Sequence, residues 1–320
     1  MESLSFRIKS ISYFRRSVAI ICQNENGPCP LIAIANVLTL RGKIIISTDR
    51  SFISVEEVIQ LVADAVFEAS TRVESNEELQ NQQQQHMNDI LNVLPKLARG
   101  LDVNIKFNGV NKYEFTEEIS IFDILDIPLV HGWLYDTSDS DLCTHIGDLS
   151  YNHLQFKLVD YRSVLDKLDS NVELTPSEED LLQQGRVIDH FLAQTASQLT
   201  TPGLHALYAF LADQTLAVFF RNNHFSTLFA HQGQLFLLLT DLGFLHTPTI
   251  VWEVLHSVDG KTDFCDNAFF PSDNLTDTPI DVSGEGGGYI GGTYNIVTPA
   301  NVVEGGGTLC LPPGVVEAGG

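Results

Sequence analysis

The chain has 320 residues, 44% of them hydrophobic, with a formal net charge of −23 at pH 7. That length can bury a sizeable core, as one large domain or two small ones. The acidic balance argues against sequence-independent binding to nucleic acid phosphates, and most of the charge is expected on solvated surface. Five cysteines with no CxxC pair argue against a disulfide framework or a structural zinc site, and no metal or cofactor is expected. Free thiols suit a reducing compartment, the cytoplasm and with it the nucleus. No N-terminal signal peptide is visible, and the apolar runs fall short of a membrane span.

Residues 6–13 alternate apolar and polar side chains like a half-buried strand, and 17–22 read as a second strand. It delivers the chain to Gln23-Asn24-Glu25-Asn26-Gly27-Pro28-Cys29-Pro30. Gly27 and Pro28 break regular structure, whereas Pro30 suits a first helical turn, where its missing N–H is no loss. Residues 31–38 are apolar nearly all round, as in a helix inside a core. Cys29 is therefore expected at the N-terminus of a buried helix. Free N–H groups and the helix dipole there favour a thiolate and a lowered pKa. Gln23, six residues upstream, can fold its amide back beside the thiol as a donor to an oxyanion. Cys22 is a rival thiol, but inside an apolar strand it should be inert.

Farther along, 55–67 has helical spacing. Residues 75–85 are polar and Gln-rich, a solvated helix start or a mobile loop. A helix is expected over 88–97 and, after the stop at Gly100, a strand over 101–107. Residues 122–134 read as a short helix with an extended exit around Gly132-Trp133, and 151–169 as one or two helices. Thr175-Pro176-Ser177-Glu178 is a capping box that opens a helix to about residue 199. Thr201-Pro202-Gly203 reads as its stop, with another helix over 204–211.

Residues 216–229 are rich in strand formers. His231-Gln232-Gly233-Gln234 looks like a hairpin turn, and 235–241 reads as the partner strand. His224 on the first strand is the candidate base. Thr240 and Asp241 on the second are equal candidates to orient it. Cysteine, then histidine, then a polar residue is the order of nucleophile, base and orienter. His131, His145, His153, His231 and His246 read as structural. The layout is that of a papain-like cysteine peptidase, although the usual papain signature around the cysteine is absent. It implies an α+β fold in which the helix carrying the nucleophile packs on an antiparallel sheet carrying the histidine.

The composition changes near residue 270. Twelve of the 23 glycines follow residue 283, and no Lys or Arg follows Lys261. Such a segment cannot bury enough surface to offset its chain entropy. Residues 1–270 are therefore expected to form the catalytic domain and 271–320 a largely disordered tail.

Six motifs carry a resemblance: QNENGPCPLIAIANVL at 23–38, GLDVNIKF at 100–107, HGWLYD at 131–136, FFRNNHFSTL at 219–228, TDLGF at 240–244 and VWEVLHSVDG at 251–260. From about residue 6 to about 270 the chain resembles the MINDY deubiquitinases. The resemblance implies a thiol protease that hydrolyses isopeptide bonds in polyubiquitin, with preference for the lysine-48 linkage. It implies that Trp133, Tyr151 and Phe220 shape the surface for one ubiquitin, and that Asp102 and Val103 lie on the surface for the next. The ubiquitin-interacting helices that some members carry in the tail are not seen here. Two other readings stay open. One is a polyubiquitin-binding module whose thiol is held inactive by a loop stiffened by Pro28 and Pro30. The other is a Cys–His enzyme that passes its acyl group to an amine.

Overall fold

The computed structural model describes residues 4–23, 28–70 and 93–272. The Gln-rich stretch 75–85, the first part of the helix expected over 88–97, loop residues 24–27 and the tail from 273 lie outside it; residues 93–97 are helical.

Strand β1 (Ser5–Tyr13) turns through Phe14 and Arg15, both at positive φ, into β2 (Arg16–Ile21). β3 (Phe52–Ser54) pairs with the first residues of β1, giving an antiparallel sheet ordered β2-β1-β3. Both faces of β1 are covered: Phe6 and Ile8 are buried on one, and Lys9, Ile11 and Tyr13 on the other. Helices α1 (Cys29–Leu40) and α2 (Val55–Ser70) follow and pack on each other.

The second sheet holds β4 (Leu129–His131), β5 (Leu216–Arg221), β6 (His224–His231), β7 (Gln234–Leu238), β8 (Trp252–Val254) and β9 (Phe264–Cys265), side by side in that order. Its neighbours are antiparallel except β4 and β5, which run parallel, so the expected antiparallel sheet is mixed at one edge. The run 216–229, read as one strand, is two. Asn222 and Asn223 take φ of 51° and 57° and make a two-residue turn, the left-handed conformation that asparagine tolerates. His224 is thus the first residue of β6.

Between the sheets' segments come α3 (Ser120–Ile124), α4 (Ser140–His145), α5 (Tyr151–Asp169), α6 (Pro176–Gln194) and α7 (Thr201–Phe210). The expected cap of α6 is present: Glu178 Oε2 accepts from the Thr175 N–H at 2.8 Å. That helix ends at Gln194, short of residue 199. Thr201-Pro202-Gly203 opens a helix instead of closing one, because the Thr200 hydroxyl caps it by accepting from Gly203 N at 3.1 Å. A Cβ on Gly203 would stand 1.8 Å from the Gly132 carbonyl oxygen, so α7 seats on the exit from β4 only with glycine there. No strand forms over 101–107; Ile105 and Lys106 make only isolated bridges, to Tyr113 and Ser150.

Alternate residues of β5 and β6 divide between two cores. Val218, Phe220, Phe225 and Phe229 join α1 and α2 in the larger one. Ala217, Phe219, Leu228 and Ala230 join Leu204 and Leu207 of α7 in the other. Every residue of α1 after Cys29 is buried, and each such leucine or isoleucine contributes about 1.5–3 kcal/mol.

Candidate active site

α1 starts at Cys29, with Pro28 before it and Pro30 in its first turn. The fully buried Asn36 ties this helix back to β2. Its Oδ1 accepts from Ile21 N at 2.8 Å, and its Nδ2 donates to the Ile21 carbonyl at 3.0 Å. On the other side of α1, the Thr227 hydroxyl donates to the Ala33 carbonyl at 3.2 Å, holding β6 against the helix.

This packing sets Cys29 beside the first residues of β6. The sulfur is half-buried and lies against the backbone N–H of Phe225, the residue after His224, which favours its thiolate. Burial nonetheless pushes the thiol above its ordinary value, against the pull of that N–H and of the N–H of Cys29 itself. The lowered pKa expected from the helix terminus alone is therefore corrected: desolvation outweighs the backbone N–H groups that face the sulfur. Burial also lowers the pKa of His224. Both shifts favour a neutral thiol beside a neutral imidazole, and no hydrogen bond joins the two among the described residues. Cys22 is fully buried and its thiol is pushed up to about 11, which suits the inert role expected of it.

Gln23 reaches the second sheet through its backbone. Its N–H donates to the Thr240 carbonyl at 2.8 Å, and it forms a parallel bridge with Asp241. The β6–β7 register pairs Leu228 with Leu237; four further steps would set Asp241 opposite His224. The chain departs first, since β7 ends at Leu238 and not at 241. The exposed Asp241 carboxylate caps the 3-10 turn Leu242–Phe244, accepting from Gly243 N at 2.6 Å. Thr240 is half-buried. Neither side chain hydrogen-bonds His224 among the described residues.

Of the five residues tied to ubiquitin by resemblance, three share one surface. Tyr151 is half-buried at the start of α5, Asp102 is exposed and Val103 half-buried. Asn104 fastens that stretch to α5: its Oδ1 accepts from Asn152 N and its Nδ2 donates to the Ser150 hydroxyl, both at 3.0 Å. Trp133 and Phe220 lie behind, only 5% and 6% exposed. The Trp133 indole N–H donates to the Thr195 hydroxyl at 2.7 Å, and its ring lies 5.7 Å from that of Tyr151. Phe220 packs on Phe225 at 4.9 Å and so backs the residue that lies against the Cys29 sulfur. Because His131 pairs with Phe220, Trp133 leaves the sheet at the same end as the turn before His224. His131 is structural, as read: it is buried, its Nδ1 accepts from Trp133 N at 3.2 Å, and burial lowers its pKa to about 4.

Sequence reasoning did not single out Asn36 or the buried Lys9 of β1. An asparagine inside an otherwise apolar helix was a signal for the first. Among the described residues no group of three His, Cys, Asp or Glu could hold a metal ion, and no helix is long and apolar enough to cross a membrane.

A thiol, an imidazole and backbone donors at one helix start are the parts needed for attack on a carbonyl. The sequence profile described as MINDY deubiquitinase matches residues 4–269. The Ubiquitin carboxyl-terminal hydrolase MINDY-1 of Danio rerio is 41% identical over 262 residues, which cover 82% of this chain and 48% of that protein. The human MINDY-1 is 40% identical over 272 residues, 85% of this chain and 55% of the relative. The human MINDY-2 is 41% identical over 274 residues, 85% of this chain and 42% of the relative. The chain spans about half the length of the curated relatives it matches. With the profile covering most of its length and the motifs around Cys29 and His224 inside the match, the chain belongs to the MINDY deubiquitinase family.

Proposed function

We propose that this chain is a cysteine-type deubiquitinase with a papain-like fold, hydrolysing isopeptide bonds in polyubiquitin with preference for the lysine-48 linkage. The observation that carries this reading is the packing of α1 on β6, which sets the Cys29 sulfur against the residue next to His224. Its partners are polyubiquitin and ubiquitinated proteins of the cytoplasm or nucleus. The catalytic unit is residues 1–270 together with Pro271 and Ser272, which pair with Cys265 and Phe264.

In this mechanism the ubiquitin tail enters between α1 and β6. His224 takes the Cys29 proton as the sulfur attacks the carbonyl of the terminal glycine. The Gln23 amide and the Cys29 N–H hold the oxyanion. His224 then gives its proton to the departing lysine amine, and next takes one from the water that releases the thioester. Thr240 or Asp241 orients the imidazole. Tyr151, with Trp133 and Phe220 behind it, meets one ubiquitin, and Asp102 and Val103 the next.

Incubation with di- and tetraubiquitins of defined linkage tests the reading. Cleavage of the lysine-48 chains ahead of the others, lost in Cys29→Ala, is expected; no cleavage of any linkage would refute it. A thiol raised by burial and a histidine lowered by it favour a second reading, a chain-binding module with an idle thiol. An electrophilic ubiquitin probe separates the two, since labelling at Cys29 requires a competent nucleophile.

A further inference from the structure

Lys9 is 4% exposed, yet it carries an ammonium. That ammonium donates to the carbonyls of Phe244 at 2.8 Å, Thr247 at 3.0 Å and Ile250 at 2.6 Å, which uses all three of its protons. Burial pulls its pKa below the ordinary lysine range, and the neighbouring Cys22 opposes the shift. An apolar side chain of the same length would fill the space without the cost of desolvating a charge, but would leave three carbonyls without this donor. What the ammonium does is fix geometry.

The three carbonyls belong to the segment that leaves β7 and returns as β8. That segment begins at Thr240 and Asp241, the two residues that hold the Gln23 backbone. Lys9 itself pairs with Ile20 of β2, the strand that delivers Gln23. The ammonium therefore bridges the small sheet, which carries Gln23, to the large sheet, which carries His224. No apolar substitute could set that spacing through three directional bonds.

We infer that Lys9 is a positioning residue for the reaction, acting through the 240–250 segment to hold Gln23 at the oxyanion. The inference rests on the reading of Gln23 as oxyanion donor. A displacement of about 1 Å at such a site costs about 100-fold in rate.

The test is a double-mutant cycle on diubiquitin hydrolysis with Lys9→Met and Gln23→Ala, in the full chain, with kcat and KM measured separately. Lys9→Met is expected to lower kcat by about 10- to 100-fold with KM within about twofold, while iodoacetamide alkylates Cys29 at the wild-type rate. In the Gln23→Ala background the same change should cost less than about twofold, since the group it positions is gone. Equal losses in both backgrounds, or an unchanged kcat in Lys9→Met, would overturn the role of Lys9 and leave Gln23 as donor. An unchanged kcat in Gln23→Ala would overturn both. Should Lys9→Met fail to melt cooperatively, Lys9→Gln, which retains donors on a shorter arm, goes through the same cycle with the same criteria.

Discussion

Asn36 of α1 grips Ile21 of β2 by both ends of its side-chain amide, taking the N–H and satisfying the carbonyl of one backbone residue. The side chain thus stands in for a neighbouring strand on the edge of β2 that faces away from β1. Asn36→Leu would leave a buried N–H and a buried carbonyl unpaired, each costing about 1–3 kcal/mol. A fall in unfolding free energy of about 2–5 kcal/mol in urea titration is expected. A change under about 1 kcal/mol would show that β2 is held by other means.

The two thiols near the site should behave in opposite ways. Cys29→Ala is expected to abolish hydrolysis of diubiquitin while chain binding, read by calorimetry, stays within a few-fold, because the exchange removes little volume. Cys22→Ala should retain cleavage. The reverse pattern would reassign the nucleophile.

The pH dependence of the free enzyme follows from burial. A raised thiol and a lowered imidazolium mean that Cys29 is protonated and His224 neutral near pH 7. Alkylation of Cys29 by iodoacetamide, which consumes thiolate, should then rise about tenfold per pH unit from about pH 6 to above pH 8. A plateau from about pH 5 upward would mean a preformed thiolate–imidazolium pair and sink this assignment.

Truncation should discriminate between residues only a few positions apart. Phe269 packs its ring within 6.0 Å of those of Phe14, Phe229, His231, Phe236 and Trp252. A chain ending at Ser272 is expected to melt cooperatively and to cut diubiquitin. One ending at Asp266 loses that aromatic plug and should fall by about 3–5 kcal/mol, the usual cost of deleting a large packed ring. Equal stability of the two would show that the aromatic contact contributes nothing.

What the sequence disclosed, it disclosed through strong local punctuation. Pro28, Cys29 and Pro30 ahead of an apolar run announced a buried helix, and the run begins where they said. The break at Asn222-Asn223 was hidden because strand formers on both sides made 216–229 look continuous, although two asparagines in a row are a turn signal. Thr201-Pro202-Gly203 was ambiguous for a physical reason: threonine followed by proline can end one helix or start the next, and only the fit of Gly203 against Gly132 decides. Lys9 was illegible, since an alternating strand offers its lysine to solvent unless something far along the chain covers it. The state of the Cys29 thiol was misread because dipole and burial pull in opposite directions, and burial is a tertiary property.

The hydroxyl of Thr227 meets the carbonyl of Ala33 across 194 residues of sequence. The helix that begins at Cys29 is thus synthesised well before the strand that begins at His224. Closing so long a loop is entropically slow, and only the finished β5–β6–β7 ladder repays it. On the proposed reading, Cys29 and His224 therefore come together only once that ladder has formed.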